Sequence, residues 1–127
     1  MIVMTFFSTR TACALAFVVS TLMAPSVLAH AHLKQQTPAA DSQVAAAPQA
    51  LTLKFSEGIE PAFSGVTVTD GQQQTVKTGA IALDEQDKTR VTVPLVQPLS
   101  AGTYLVEWHV VSVDGHKTKG SYRFSVK

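Results

Sequence analysis

The chain has 127 residues, 46% hydrophobic and 15% charged, with ten Lys/Arg against nine Asp/Glu and a formal net charge of +1. So even a balance supplies no basic stripe for nucleic acid and no polybasic patch for an anionic membrane surface. A single cysteine, Cys13, excludes an intrachain disulfide, so the folded part must rest on its own hydrophobic core.

Residues 1–29 have the pattern of a secretory signal peptide. Arg10 supplies the positive start and Thr11 to Met23 is mostly apolar. Pro25-Ser26-Val27-Leu28-Ala29 then forms a cleavage region with permitted residues at −3 and −1. The apolar run is shorter than the roughly 20 residues a spanning helix requires, so a membrane anchor is the lesser alternative. Cleavage after Ala29 leaves one domain, residues 30–127, that starts at His30 in the periplasm or outside the cell, with no membrane span. Ala29-His30-Ala31 also satisfies the small-x-small rule, so a cut after Ala31, making His32 the terminus, is the alternative. The cut removes Cys13 and all three methionines, Met1, Met4 and Met23, leaving a chain without sulfur. A domain of this size buries roughly 60–65% of its unfolded surface, enough for a single core.

Beyond the cut the hydrophobic period is two. Leu51, Leu53 and Phe55 alternate with Thr52 and Lys54; Val66 and Val68 alternate with Thr67 and Thr69; Val91 and Val93 precede Pro94. The longest run, Thr103 to Val111, puts Tyr104, Val106, Trp108 and Val110 on one face, and Tyr122, Phe124 and Val126 close the chain. Turn signals at Thr37-Pro38, Asp70-Gly71, Pro98, Ala101-Gly102 and Asp114-Gly115 separate these runs. Pro48, Pro61, Pro94 and Pro98 fall at strand ends, where a missing N–H does no harm. With no helical pattern of ten or more residues, the expected fold is an all-β sandwich of two sheets.

The four histidines carry the chemical interest. His109 alternates away from Trp108, next to Glu107, and is expected on the outer surface. Asp114 and His116 form a D-x-H pair between the last two strands, and in an extended segment both would project to one side. Taken alone, that pair is more simply an Asp-Gly turn beside a solvated histidine. It becomes a metal site only if His30 lies nearby. A terminal histidine offers an α-amine and a ring; with His116 and Asp114 the set is nitrogen and oxygen only. Such donors suit tetragonal Cu(II) and suit Cu(I) poorly, and zinc would accept them with lower affinity. His32 adds a further possibility, because an amine followed by histidine in third position can wrap Cu(II) in a square plane through two backbone nitrogens.

The segments His30-Ala31-His32-Leu33, Thr37-Pro38-Ala39 and Leu53-Lys54-Phe55-Ser56-Glu57 resemble those of the CopC-type periplasmic copper-binding proteins. So do Phe63-Ser64-Gly65, Gly102-Thr103-Tyr104 and Trp108 through Gly120 with its Ser112-Val113-Asp114-Gly115-His116 loop. The likeness covers all of residues 30–127 and is strongest to a short enterobacterial form of that family. It implies a Greek-key β-sandwich of immunoglobulin-like and cupredoxin-like kind. It also implies one Cu(II) per chain, held by the amine and ring of His30, the Asp114 carboxylate and the His116 ring. Glu57 matches a family carboxylate near the metal, where it would support a ligand; the alternative is a plain surface charge at a strand end. His32 would be an additional ligand or a hydrogen-bond donor behind the ligands. Aligned on Thr37-Pro38, His30 rather than His32 falls at the family's first mature residue. The methionine-rich Cu(I) site of some members has no counterpart here.

The function implied is non-enzymatic: a monomeric periplasmic carrier or buffer of Cu(II) in copper homeostasis or resistance, working beside a CopD-type inner-membrane copper protein. Two other classes compete. A copper oxygenase with an N-terminal histidine would need an open coordination position and a flat substrate face. A plain immunoglobulin-like interaction domain would carry its histidines incidentally. Protons compete for the amine and imidazole nitrogens, so copper binding should fall away below about pH 6.

Overall fold

The computed structural model describes residues 30–127, and the expected signal segment lies outside them. The described residues form nine strands: β1 (Leu33–Thr37), β2 (Gln43–Val44), β3 (Ala50–Phe55), β4 (Gly65–Thr69), β5 (Thr75–Val76), β6 (Ala82–Asp84), β7 (Asp87–Pro94), β8 (Gly102–Val111) and β9 (Lys117–Val126). They pair into a four-stranded sheet, β1-β3-β7-β6, and a five-stranded sheet, β2-β9-β8-β4-β5. This is the expected Greek-key sandwich. No helix among the described residues is long and apolar enough to cross a membrane.

The strands with clear alternation build the core. Leu51, Leu53 and Phe55 of β3 and Val91 and Val93 of β7 face Tyr104, Val106, Trp108 and Val110 of β8 and Tyr122, Phe124 and Val126 of β9, all buried. Inward residues sit opposite one another within each sheet, as Leu53 with Val91 and Tyr104 with Phe124. Alternation thus fixes register, because a slip by one residue would turn every apolar side chain to water. Four short or polar strands, β1, β2, β5 and β6, carry little alternation and are supplied by pairing to neighbours. Prolines stay out of strand interiors: Pro94 ends β7, and Pro61 opens a 3-10 turn, Pro61–Phe63. The Tyr104 hydroxyl donates to the Ser100 carbonyl at 2.7 Å, tying the start of β8 to the loop before it.

Two glycines sit opposite rings, with opposite consequences. Gly120 pairs with Trp108, and a Cβ there would lie 2.6 Å from Trp108 Cζ2. That indole is buried and meets Phe55 edge-on at 5.1 Å between ring centroids, so it has nowhere to go. Gly65 pairs with His109, and its Cβ would lie 2.6 Å from His109 Cε1. That ring is on the exposed outer face, as alternation predicts, and can swing into solvent. Gly120→Ala should therefore cost about 1–3 kcal/mol of stability through overpacking. Gly65→Ala should cost well under half of that. Urea unfolding of the two variants checks the order; equal losses would refute it.

On the four-stranded sheet, Lys54 Nζ reaches Asp87 Oδ2 at 3.1 Å. Hydrogen bonds from the Thr89 hydroxyl and amide, and then from Lys54, hold the Asp87 carboxyl down at about 2. A folded-state value below the ordinary 3.8 means stability that is present above pH 3.8 and lost as pH falls toward 2. Asp87→Asn should lower the thermal midpoint at pH 7, and its difference from the parent should shrink between pH 4 and pH 2. A pH-independent difference would contradict this linkage.

Candidate metal centre

Residues 30–32, the first described, are drawn across the sandwich by their own backbone and one small side chain. Ala31 is buried, 1% exposed, in the main core cluster. Its carbonyl accepts from Thr118 Oγ1 at 3.0 Å, near the start of β9. The His32 N–H donates to Ser56 Oγ at 2.8 Å, and the Ser56 N–H returns a bond to the His32 carbonyl at 2.9 Å. The Ser56 hydroxyl in turn points to the His30 carbonyl at 3.4 Å. Ser56 follows the last residue of β3, so the segment is fastened to one sheet by Ser56 and to the other by Thr118.

This fastening brings His30 to His116. Their rings meet edge to face with centroids 4.6 Å apart and planes at 63°. The β8–β9 loop fixes the other partner. Its Asp114-Gly115-His116 stretch is a tight turn rather than the extended segment expected, with Gly115 at φ +89, a conformation that L side chains rarely adopt. The expected juxtaposition holds, but through the turn: His116 Nδ1 lies 3.0 Å from Asp114 Oδ2. The Gly115 N–H closes the turn onto the Ser112 carbonyl at 2.8 Å, and the Ser112 N–H donates to the His116 carbonyl at 2.9 Å.

Ser112 is the buried polar residue beneath the loop. Its hydroxyl donates to Asp114 Oδ1. That bond, ahead of those from His116, holds the Asp114 carboxyl below the usual carboxylate range, so the group is ionised at neutral pH. The Asp114 and His116 side chains are 41% and 45% exposed, open enough for an ion to reach them. With Nδ1 turned to the carboxylate, Nε2 is the ring nitrogen left with a lone pair.

Other sequence-derived candidates stand around this cluster. Glu57 is half-buried next to Ser56 and makes no hydrogen bond or ion pair among the described residues. His32 is exposed and anchored through its backbone. His109 lies on the outer face of the five-stranded sheet, in a shallow groove of about 560 Å³ with Thr67, Glu107 and Lys119, which includes none of His30, Asp114 and His116. Among the described residues no three His, Cys, Asp or Glu side chains converge as an ion cage. His30 meets His116 and His116 meets Asp114 as pairs, without the three converging on one point; the expected set adds a main-chain amine, which exists only when the bond preceding His30 is cut. The nitrogen and oxygen donors present, two imidazoles and an ionised carboxylate, fit Cu(II).

Ser56, Thr118 and Ser112 were not singled out as site residues in the sequence. Ser112 lies two residues before Asp114, a local spacing that could have marked it. Ser56 and Thr118 act on residues far away in the chain, 26 and 87 positions from those whose carbonyls they bind.

With its two-sheet sandwich and the His30–His116 approach described, the chain belongs to the CopC domain family, whose model matches residues 33–127. Protein YobA of Escherichia coli K12 is 57% identical over 114 residues, covering 90% of this chain and 92% of that protein. The crystal structure of CopC from Methylosinus trichosporium OB3b superposes with a TM-score of 0.72 at 33% identity, covering 77% of this chain and 94% of that one. PcoC, a methionine-rich copper resistance protein from Escherichia coli, superposes with a TM-score of 0.70 at 38% identity, covering 77% and 99%.

Proposed function

We propose that this protein is exported, cut after Ala29, and binds one Cu(II) through the amine and ring of His30 with His116 and Asp114. The observation that carries this is the 4.6 Å approach of the His30 and His116 rings. Copper is cargo in this scheme, and the protein acts as a monomeric periplasmic carrier or buffer in copper homeostasis or resistance, without catalysis. Asp114 contributes the anionic donor, and its ionised state is maintained by Ser112. His32 and Glu57, which both adjoin Ser56, support the ligands from outside the set. Support for copper as the metal comes from family membership and from the copper-resistance relative described above. Support for the divalent state comes from the donors, because Met1, Met4, Met23 and Cys13 all precede Ala29. The expected recipient or source of the ion is a CopD-type inner-membrane copper protein, on the strength of the family resemblance.

Trp108, the sole tryptophan, reports binding by paramagnetic quenching of its emission. Titration of exported protein with Cu(II) should quench it to an endpoint of one ion per chain. His116→Ala should weaken binding by at least about 100-fold, beyond the 10–100-fold typical of groups that only support ligands. Asp114→Asn keeps an acceptor for the ring but removes the charge, and should also exceed that range. Unchanged affinity in His116→Ala would defeat the proposal.

A further inference from the structure

The first residues of the processed chain, His30-Ala31-His32, contain a rival chelator. An amine followed by a third-position histidine can enclose Cu(II) using the amine, the backbone nitrogens of the second and third residues, and the third ring. That mode needs neither Asp114 nor His116. It requires the Ala31 and His32 nitrogens to exchange their protons for the metal and to turn toward it together.

The fold holds this peptide in another arrangement. The His32 N–H is committed to Ser56 Oγ at 2.8 Å, and the Ala31 carbonyl to Thr118 Oγ1 at 3.0 Å. The peptide plane joining Ala31 to His32 is thus gripped at both polar ends, from β3 on one side and β9 on the other. The Ala31 methyl is sunk in the core, and the Ser56 N–H secures the His32 carbonyl at 2.9 Å. To bring the His32 nitrogen onto an ion, the Ser56 hydroxyl must first be displaced. Both binding modes use the one amine of His30, so they exclude each other.

We propose that Ser56 and Thr118 are positioning residues that suppress the local tripeptide chelate, leaving Cu(II) at His30 to be completed across the fold by Asp114 and His116. This rests on the Cu(II) reading above. Its consequence suits a carrier: a chelate through deprotonated amides releases its ion slowly, whereas a site shared between a terminus and a loop opens when either moves.

Visible circular dichroism tests it on exported protein whose mass shows that it starts at His30. Copper bound through backbone nitrogens gives strong d–d bands, because its chelate rings are built on the chiral backbone. With one equivalent of Cu(II), the folded parent should lack these bands, and the same protein unfolded in urea should show them. The Ser56→Ala/Thr118→Val double variant should gain them while keeping the parent's Trp108 emission, and adding His32→Ala should abolish them again. In metal-free parent, the His32 amide should exchange its hydrogen at least about tenfold more slowly than in unfolded chain, and Ser56→Ala should erase most of that protection. Strong amide bands in the folded parent, a folded double variant identical to the parent, or an unprotected His32 amide would each overturn the clamp. The exchange result needs no copper, so it stands should the double variant fail to fold. A parent spectrum unmoved by His116→Ala would instead defeat the Cu(II) reading, and the clamp's role in copper binding with it.

Discussion

Retaining any residue ahead of His30 is expected to lower Cu(II) affinity by at least about 100-fold while leaving the fold intact. An acylated nitrogen is no longer a basic donor, so the chelate ring between the His30 amine and its imidazole is lost. That loss removes a ligand, whereas changes outside the ligand set typically cost 10–100-fold. The fold should not respond, because the segment is secured by the Ala31 methyl, Ser56 and Thr118, none of which depends on a free amine. Competition with a chromophoric chelator, for exported protein against protein with Met before His30, measures the difference. Equal affinities at equal thermal midpoints would contradict the role of the terminus.

Phe55→Ala should cost about 3–5 kcal/mol, the range for truncating a buried aromatic. Phe55 is 1% exposed and stacks edge-on against Trp108, joining the two sheets at the end of β3. A domain of this size holds about 5–15 kcal/mol in total, so the variant should sit near the edge of folding. Copper binding should suffer with it, since Ser56 directly follows and anchors the terminus. Phe55→Leu keeps most of the volume and should lose clearly less. Urea denaturation followed at Trp108 gives both values; a loss below about 1 kcal/mol for the alanine variant would show that the core is not closed by this contact.

Much of this architecture can be read from the chain. Strict alternation marks β3, β7, β8 and β9 because each buries one face against the other sheet, and the same rule correctly sends His109 to the outer surface. The short strands β2, β5 and β6 escape such reading, since two or three residues carry no period. β1, with its Lys34-Gln35-Gln36 interior, becomes a strand through pairing with β3 rather than through its own pattern. The candidate site is visible in the sequence as parts: His30 at the expected cut and a D-x-H pair, with nothing local to say that they meet. What joins them is Ser56 and Thr118, whose partners are distant in sequence and whose hydrogen bonds run to backbone atoms, which leave no trace in residue type. The turn at Asp114-Gly115-His116 was half legible. Gly115 announces a turn, but the closeness of Asp114 and His116 arises from that turn and from Ser112 beneath it, not from extended alternation.

The donors of the proposed site are nitrogen and oxygen only, a set that suits Cu(II). Acid should release it: protonation of imidazole and amine competes with the ion, while Asp114 stays ionised further down in pH because Ser112 stabilises its charge.

In the proposed site, a terminus at His30 and the His116 loop close on a single Cu(II). Electron paramagnetic resonance of exported protein, shown by intact mass to begin at His30 and loaded with one equivalent of Cu(II), tests it most directly when recorded beside His116→Ala. The parent should give one tetragonal, nitrogen-rich copper signal, and the variant should lose an imidazole nitrogen from it. A parent that leaves the copper in free solution, or a variant with an unchanged spectrum, would contradict the claim.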